Sequence, residues 1–450
     1  MDTVPKLIAT SVANMNNSSV RSTYTKVVED PYNSLSIILN GKRYDYEKVM
    51  WVVRGNEIKL ATGNQPPAGW DYYGVRYGYN ACQRTARFVR KNQLPFGSID
   101  MVRTGKGTPS LTNLEDMAYA LQTLKFAETP AVVGMKHLIP SQMGQLKAGQ
   151  SATPRDLTDL FARVQGLDQR SIFGGTWGFN FEPTEEIMEM AGLQFYENAI
   201  APSFHQDALN YMNRKGKSVR LATTNNISRI PKFKGDDTYG IVAFNTMPDG
   251  AIHVQEPYLS SVRTIDDLTI KPILKNKEGR VIAESTIDVD QETLKDLLFA
   301  HRVNFTVRSN GVVAARDRQT LGIGTGEQER IGAMQQLYVK AFAKRKFLYQ
   351  NALTTQALHS IGPKLPIKKL KTKQFITTFE DVEDVLEGGV LSSDAYIPDG
   401  KCIEAIADCG IKAIILPPGS LSDHAVVNAC EKFSIAVVYV PPEDRCFDHH

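Results

Sequence analysis

Two periods of apolar and polar positions divide this chain. Residues 35–54, "LSIILNGKRYDYEKVMWVVR", suggest a short strand, a turn at Asn40-Gly41 and further structure. The breaker cluster "GNQPPAG" at 63–69 marks a boundary, and a strongly α/β stretch follows. In "LTNLEDMAYALQTLKFAE", Leu111, Leu114, Ala118 and Leu121 fall on one helical face, and Thr112 with Glu115 reads as a capping box. The apolar run 130–135 then predicts a strand of the kind buried in a parallel sheet. Residues 205–290 hold strands such as "YGIVAF" between Pro/Gly breaks. A helix is expected from 291 to about 302, then an alternating strand in "NFTVRSNGVVAARD", then a glycine-rich turn leading into an amphipathic helix. From 388 the chain alternates strand, helix, strand, helix, strand, which predicts right-handed parallel crossovers. The fold class is therefore α/β.

In open α/β sheets ligands bind beyond the carboxyl ends of the strands. Lys136-His137, Ser393-Asp394, the Pro417–Ser420 loop and Arg445 all lie at predicted strand ends. Side chains alternate along a strand, so Lys136 and His137 are not a basic stripe. At a strand end both can still turn into one cleft.

Composition narrows the classes. At 450 residues the chain exceeds one ordinary core, and a net charge of +3 gives no general field for nucleic acid. The five cysteines form no CxxC pair, which fits a reducing, cytoplasmic setting better than a disulfide scaffold. No apolar run is long enough to span a membrane, and the first residues lack the pattern of a secretory signal. Residues 1–34, rich in Ser, Thr and Asn, read as a loose leader, and the tail "EDRCFDHH" as frayed polar residues. The basic run "KLPIKKLKTKQF" reads as a solvated loop rather than a nucleic-acid site. "GIGTGEQER" at 322–330 lacks both the Walker lysine and the GxGxxG spacing, and "RSNG" at 308–311 is first of all a turn. No Cys/His spacing supports zinc and no GxSxG elbow occurs, so no metal is expected. Arg76, among aromatics in "VRYGYNACQ", suits a phosphate or carboxylate clamp, because a guanidinium binds such groups bidentately.

These signals fall into one order. "RYGYN.CQ", "LTNLEDMAYAL", "KH..P", "SIFGG", "NFEP", "AIAPSF", "RSNGVV…GIGTGEQER", "SSDAYIP", "LPPGSLSDHAVVNAC" and "R.F.H" together resemble the transformylase portion of the AICAR transformylase/IMP cyclohydrolase family, from about Gly74 to His449. The cyclohydrolase half is not recognisable, so the resemblance suggests a stand-alone transformylase. It implies two cytidine-deaminase-like α/β/α subdomains without zinc, at 74–255 and 256–450, behind an extension over 1–73. It also implies formyl transfer from 10-formyltetrahydrofolate to the 5-amino group of AICAR, in a homodimer with sites built across its interface. Lys136 and His137 would correspond to the catalytic pair, with Asn310 orienting the formyl or carboxamide group. Arg76 and Arg445 would hold the ribotide phosphate. Tyr77, Phe173, Gly174, Glu197, Asn198, Phe447 and His449 would line the nucleotide pocket, and Ile323, Tyr396 and Pro398 would face the folate. Glu197 stands where the family usually has aspartate.

The chain also departs from the family pattern: Ala81 and Cys82 replace a proline and a histidine, Ile139 and Gln142 replace a serine and a glycine, and the Arg-Asp pair near Asp399-Gly400-Lys401 is lost. The rival readings are a divergent paralogue that formylates or binds a related ribotide, and a non-catalytic dimer of the same fold.

Overall fold

The computed structural model describes residues 34–39, 41–73, 87–90, 99–216, 218–225, 227–238, 241, 243–341 and 385–445. Strands β1 (Leu35–Leu39), β2 (Lys42–Arg54), β3 (Glu57–Thr62), β4 (Asp71–Tyr73) and β5 (Arg87–Arg90) form an antiparallel sheet centred on β2. Gly41 has φ +75°, as the expected turn before β2 requires. Strands from both sides of residue 73 share this sheet, since β5 pairs with β2.

The next elements are β6 (Asp100–Arg103), α1 (Leu111–Leu124), β7 (Ala131–Lys136), β8 (Ile139–Gln145), α2 (Pro154–Gln165), α3 (Gln169–Ile172), β9 (Thr176–Phe179), α4 (Glu185–Ala191), β10 (Asn198–Ala201), α5 (Gln206–Lys215) and β11 (Arg220–Thr223). The hairpin β12 (Ala243–Thr246)–β13 (Ile252–Gln255), strand β14 (Thr269–Ile270) and the hairpin β15 (Ile273–Lys275)–β16 (Val281–Glu284) follow. Then come α6 (Gln291–Asn304), β17 (Val312–Arg316), β18 (Gln319–Gly324), helix α7 at 330–341, β19 (Val390–Ser393), α8 (Lys401–Ala407), β20 (Ala413–Leu416), α9 (Asp423–Lys432) and β21 (Ala436–Tyr439).

Twelve of these strands make one sheet in the order β14-β21-β20-β19-β17-β18-β8-β7-β9-β10-β11-β6. The order is the same read from either edge: an antiparallel edge strand, three parallel strands, then an antiparallel hairpin. The two halves meet where β18 pairs antiparallel with β8 at Gln319 and Gly144. The chain thus contains one topology twice, related by a two-fold rotation across the sheet. Helices α1 and α6 share one core layer on one face of the sheet. On the other face α2, α4 and α5 cover the first half and α7, α8 and α9 the second.

The crossovers β19–α8–β20–α9–β21 are parallel, as the alternating pattern predicts. The run 131–135 is different. It is buried throughout, yet β7 is antiparallel to both neighbours. A strand buried on both faces reads as an apolar run whatever its direction, so the run alone does not distinguish the two. Helix α1 is capped by Ser110 with Asn113 rather than by Thr112 with Glu115. Its buried stripe is Leu114, Met117, Leu121 and Leu124, while Ala118 faces solvent. Only Val312–Arg316 of the predicted 304–317 strand is extended, because α6 continues to Asn304. Among the described residues no helix is long and apolar enough to cross a membrane. The leader up to residue 33, the basic run at 364–375 and the tail from 446 lie outside the described residues.

Candidate active site

Lys136 and His137 do not end a free strand. Lys136 pairs with Ile139, and His137 (φ +54°) with Leu138 (φ +67°) forms the two-residue turn of a tight hairpin. Positive φ at both turn positions matches the right-handed twist of a hairpin, but favours Asn and Gly over His and Leu. Something must hold this turn, and Asp116 of α1 does: its Oδ1 accepts the Leu138 amide at 2.8 Å, and the His137 amide bonds to it as well. Lys136 Nζ donates to the Phe173 carbonyl at 2.6 Å, leaving two ammonium protons for other partners.

The antiparallel pairing of β7 with β9 brings this turn to the amino ends of β9, β10 and β11. Phe173 is 47% exposed and packs against Phe195, with centroids 5.5 Å apart. Gly174 has φ +75° and donates its amide to the Phe195 carbonyl at 2.8 Å. At Gly175 a Cβ would lie 2.6 Å from the Met135 carbonyl oxygen, so only glycine lets this segment approach the end of β7. Gly175→Ala is expected to destabilise the fold by about 1–3 kcal/mol through this overlap, read as a lower urea midpoint at unchanged m-value. Glu197 accepts from Asn113 Nδ2 at 2.8 Å, with the buried Arg220 guanidinium 3.8 Å away. Asn198 is fully buried and donates to Thr176 Oγ1 at 2.9 Å, so it braces the strand ends from inside. Arg220 also ties the loop before α1 through the Gly107 and Thr108 carbonyls.

The second half adds groups to the same sheet edge. Strands β19, β20 and β21 end there, and β17 begins there. Asn310, just before β17, donates Nδ2 to the Glu327 carbonyl at 2.8 Å. The adjoining Gly311 donates its amide to Asp394 Oδ2 at 2.9 Å, and Arg330 Nη1 reaches the Gly311 carbonyl at 3.0 Å while ion-pairing with Asp394. Arg445 Nη2 donates to the Pro418 carbonyl at 3.0 Å, and its guanidinium lies 5.5 Å from the Tyr396 ring centroid. A Cβ at Gly419 would collide with that guanidinium. The amides of Gly419 and Ser420 are already taken by Asp423, which leaves them no donor for a ligand. The turn before Arg445 is anchored by Asp444. Burial opposes its ionisation, but the His301 imidazole, the Ser260 hydroxyl and the Ser261 amide outweigh burial and hold it at about 2. Pro398 is exposed, whereas Ile323 lies inside the core layer at 2% exposure. Arg76, Tyr77, Phe447 and His449 lie outside the described residues, as do Ala81 and Cys82.

The turn is electrostatically tuned. Burial first, and then the neighbouring Lys136 charge, push the His137 imidazole below its ordinary value, with Glu197 pulling weakly the other way. At neutral pH it is a free base next to an ammonium. Burial pushes Asp116 up to about 7, with Glu115 and Glu197 adding to the rise and the two turn amides opposing it. Asp116, Arg220, Arg330 and Asp444 were not among the residues that the sequence singled out. Among the described residues no group of three or more His, Cys, Asp or Glu side chains is placed to hold a metal ion.

The chain is thus a duplicated, three-layer α/β protein that sets a neutral imidazole and an ammonium on a hairpin turn, with Asn310 and Arg445 along the same edge of the sheet. Residues 42–340 match the AICARFT/IMPCHase bienzyme family, and the chain belongs to that family. The match starts ahead of the Gly74 motif and takes in most of the five-stranded sheet. The chain is 30% identical over 367 residues to the bifunctional purine biosynthesis protein PurH of Acetivibrio thermocellus, covering 81% of this chain and 57% of that protein. It is 29% identical to the same-named protein of Oceanobacillus iheyensis, covering 83% and 59%, and 28% identical to that of Lactococcus lactis subsp. cremoris, covering 81% and 58%. The chain therefore spans less than two thirds of the length of these relatives.

Proposed function

We propose that this chain is an AICAR formyltransferase, acting with 10-formyltetrahydrofolate as the formyl donor in purine biosynthesis. The observation that carries this reading is the His137-Lys136 turn, a neutral imidazole beside an ammonium. The AICAR amine is a weak nucleophile, because its lone pair is drawn into the ring and carboxamide. His137 would take its proton as the nitrogen attacks the formyl carbon, and Lys136 would steady the oxyanion that develops there. As the bond from that carbon to the folate nitrogen breaks, the imidazolium returns the proton to the leaving nitrogen. Asn310 would orient the formyl or carboxamide group, and Tyr396 and Pro398 would contact the folate.

Arg445 would hold the ribotide phosphate. Arg445→Ala is expected to weaken binding of the phosphorylated ribotide by about 2 kcal/mol or more, and that of the dephosphorylated riboside far less, in paired calorimetric titrations. Equal losses would show that Arg445 supports structure only. The working form would be a homodimer. Hairpin β12–β13 exposes Phe244, Ile252 and Val254, and a two-stranded hairpin standing alone is marginal in water, so a second copy packed on it would bury that apolar surface. The direct test of function is spectroscopic detection of tetrahydrofolate released from AICAR and 10-formyltetrahydrofolate. No release at any substrate level would reject the reading.

A further inference from the structure

The duplicated fold holds its two central hairpins with the same device. In the first half Asp116, near the start of α1, accepts the amides of the His137-Leu138 turn. In the second half Asp296, at the matching place in α6, accepts the Asp317 and Arg318 amides at 2.9 and 2.8 Å. Both turns carry two positive φ values, 54° and 67° in one and 54° and 57° in the other. The chain separation is also equal: Leu138 lies 22 residues after Asp116, and Arg318 lies 22 after Asp296. Left-handed backbone at His and Leu is unfavourable by itself, so the carboxylate is what fixes the turn.

The two copies differ in one respect. Arg318 folds back to ion-pair with Asp296, which ties the second turn to the carboxylate that holds its amides. Among the described residues no cation pairs with Asp116 in this way. From α1 itself comes Glu115, from the start of β10 comes Glu197 with Arg220 beyond it, and from the turn come Lys136 and His137. The facing strands β8 and β9 carry no titratable side chain. Two of the nearest charges are therefore acids, and Asp116 is buried.

We propose that the Asp116 carboxylate is the positioning residue for His137, and that its protonation, rather than that of the imidazole, switches the site off on the acid side. Ionised, it accepts both turn amides and fixes where the imidazole points. Protonated, the carboxyl loses its charge and accepts the turn amides more weakly, so the clamp loosens. Burial, Glu115 and Glu197 bring this change to about pH 7, whereas His137 titrates below its ordinary value of 6.5. The sign for stability is opposite to that for activity. The folded state favours the neutral carboxyl, so that contribution is fully present below the ordinary carboxylate range and is lost as the pH rises through about 7. The site would thus use a form of Asp116 that the fold disfavours.

The kinetic part of this inference rests on the formyl-transfer reading; the titration part does not. The first measurement follows the His137 imidazole by NMR in the wild-type chain with ¹³C-labelled histidine, assigned by its loss in His137→Asn. A step near pH 7 is expected in addition to its own lower step, and Asp116→Asn should abolish only the step near 7. A single wild-type step overturns the proposal, and this result stands even if the variant fails to fold. The second measurement is the pH profile of kcat. Asp116→Asn should lower kcat at pH 8 by about 10–100-fold, as a misplaced base does, and move the acid limb from about 7 to below 6.5. A limb that stays near 7 in the variant also overturns it. No formyl transfer by the wild-type chain would reject the proposed reaction while the imidazole titration still decides the role of Asp116.

Discussion

Replacing His137 by alanine should lower the turnover of formyl transfer by about 10²–10⁴-fold while leaving the affinity for the ribotide within about tenfold. The asymmetry follows from the position of the imidazole. It sits on a hairpin turn at the surface, partly desolvated by its surroundings, with its backbone rather than its ring held by Asp116, so removing the ring takes away a proton acceptor but little binding surface. Alanine is a poor guest at φ +54°, so a distorted turn can add to the loss in this variant. His137→Asn separates the two effects, because asparagine tolerates the left-handed region and lacks a base near pH 7. Both variants should lose turnover alike and unfold within about 1 kcal/mol of each other in urea. Lys136→Ala should follow the same pattern, since its ammonium would stabilise charge that develops only in the transition state. Near wild-type tetrahydrofolate release from any of the three would remove the Lys-His pair from the mechanism.

What the sequence disclosed followed from local physics. The crossovers through β19, β20 and β21 were legible because β20 and β21 are short apolar runs, β19 opens on Val390-Leu391 after a Gly-Gly break, and each helix between them is an amphipathic segment of the right length. The His137 turn was hidden, because no Asn or Gly marks it. It exists by virtue of a carboxylate some twenty residues upstream on a helix that packs across β7, and no window along the chain contains both. The direction of β7 was hidden for a related reason, since burial on both faces erases the alternation that usually marks an antiparallel strand. The duplication was also out of sight, although it left a faint trace: "NLED" at 113–116 and "TLKD" at 293–296 place a leucine and an aspartate identically before the two hairpins. Arg220 was missed because an arginine at 4% exposure with carbonyl partners gives no local signal of its job.

The other large effect expected is on stability, and it lies behind Asn310. Asp394 is completely buried and Arg330 nearly so, and between them they hold the amide and the carbonyl of Gly311. Asp394→Ala would leave a buried guanidinium without its counter-charge and a buried amide without its acceptor. Breaking such a pair on one side costs about 3–5 kcal/mol, measurable as the extrapolated unfolding free energy in urea. The double variant Arg330→Met/Asp394→Leu tells the pair's electrostatics from its positioning role. Removing both charges removes the desolvation penalty of the stranded arginine, so the double variant should be more stable than Asp394→Ala alone. The remaining deficit should be about 1–3 kcal/mol from the orphaned Gly311 amide. If the pair also serves the site, the double variant will fold yet turn over poorly, because Gly311, next to Asn310, then keeps only its carbonyl bonds from the Asp394 amide and Asn304, and its own amide has no acceptor. A loss below about 1 kcal/mol in Asp394→Ala would show that the buried pair contributes little, and Asn310 would then have to be held by the bonds of its side chain and backbone amide to the Glu327 carbonyl.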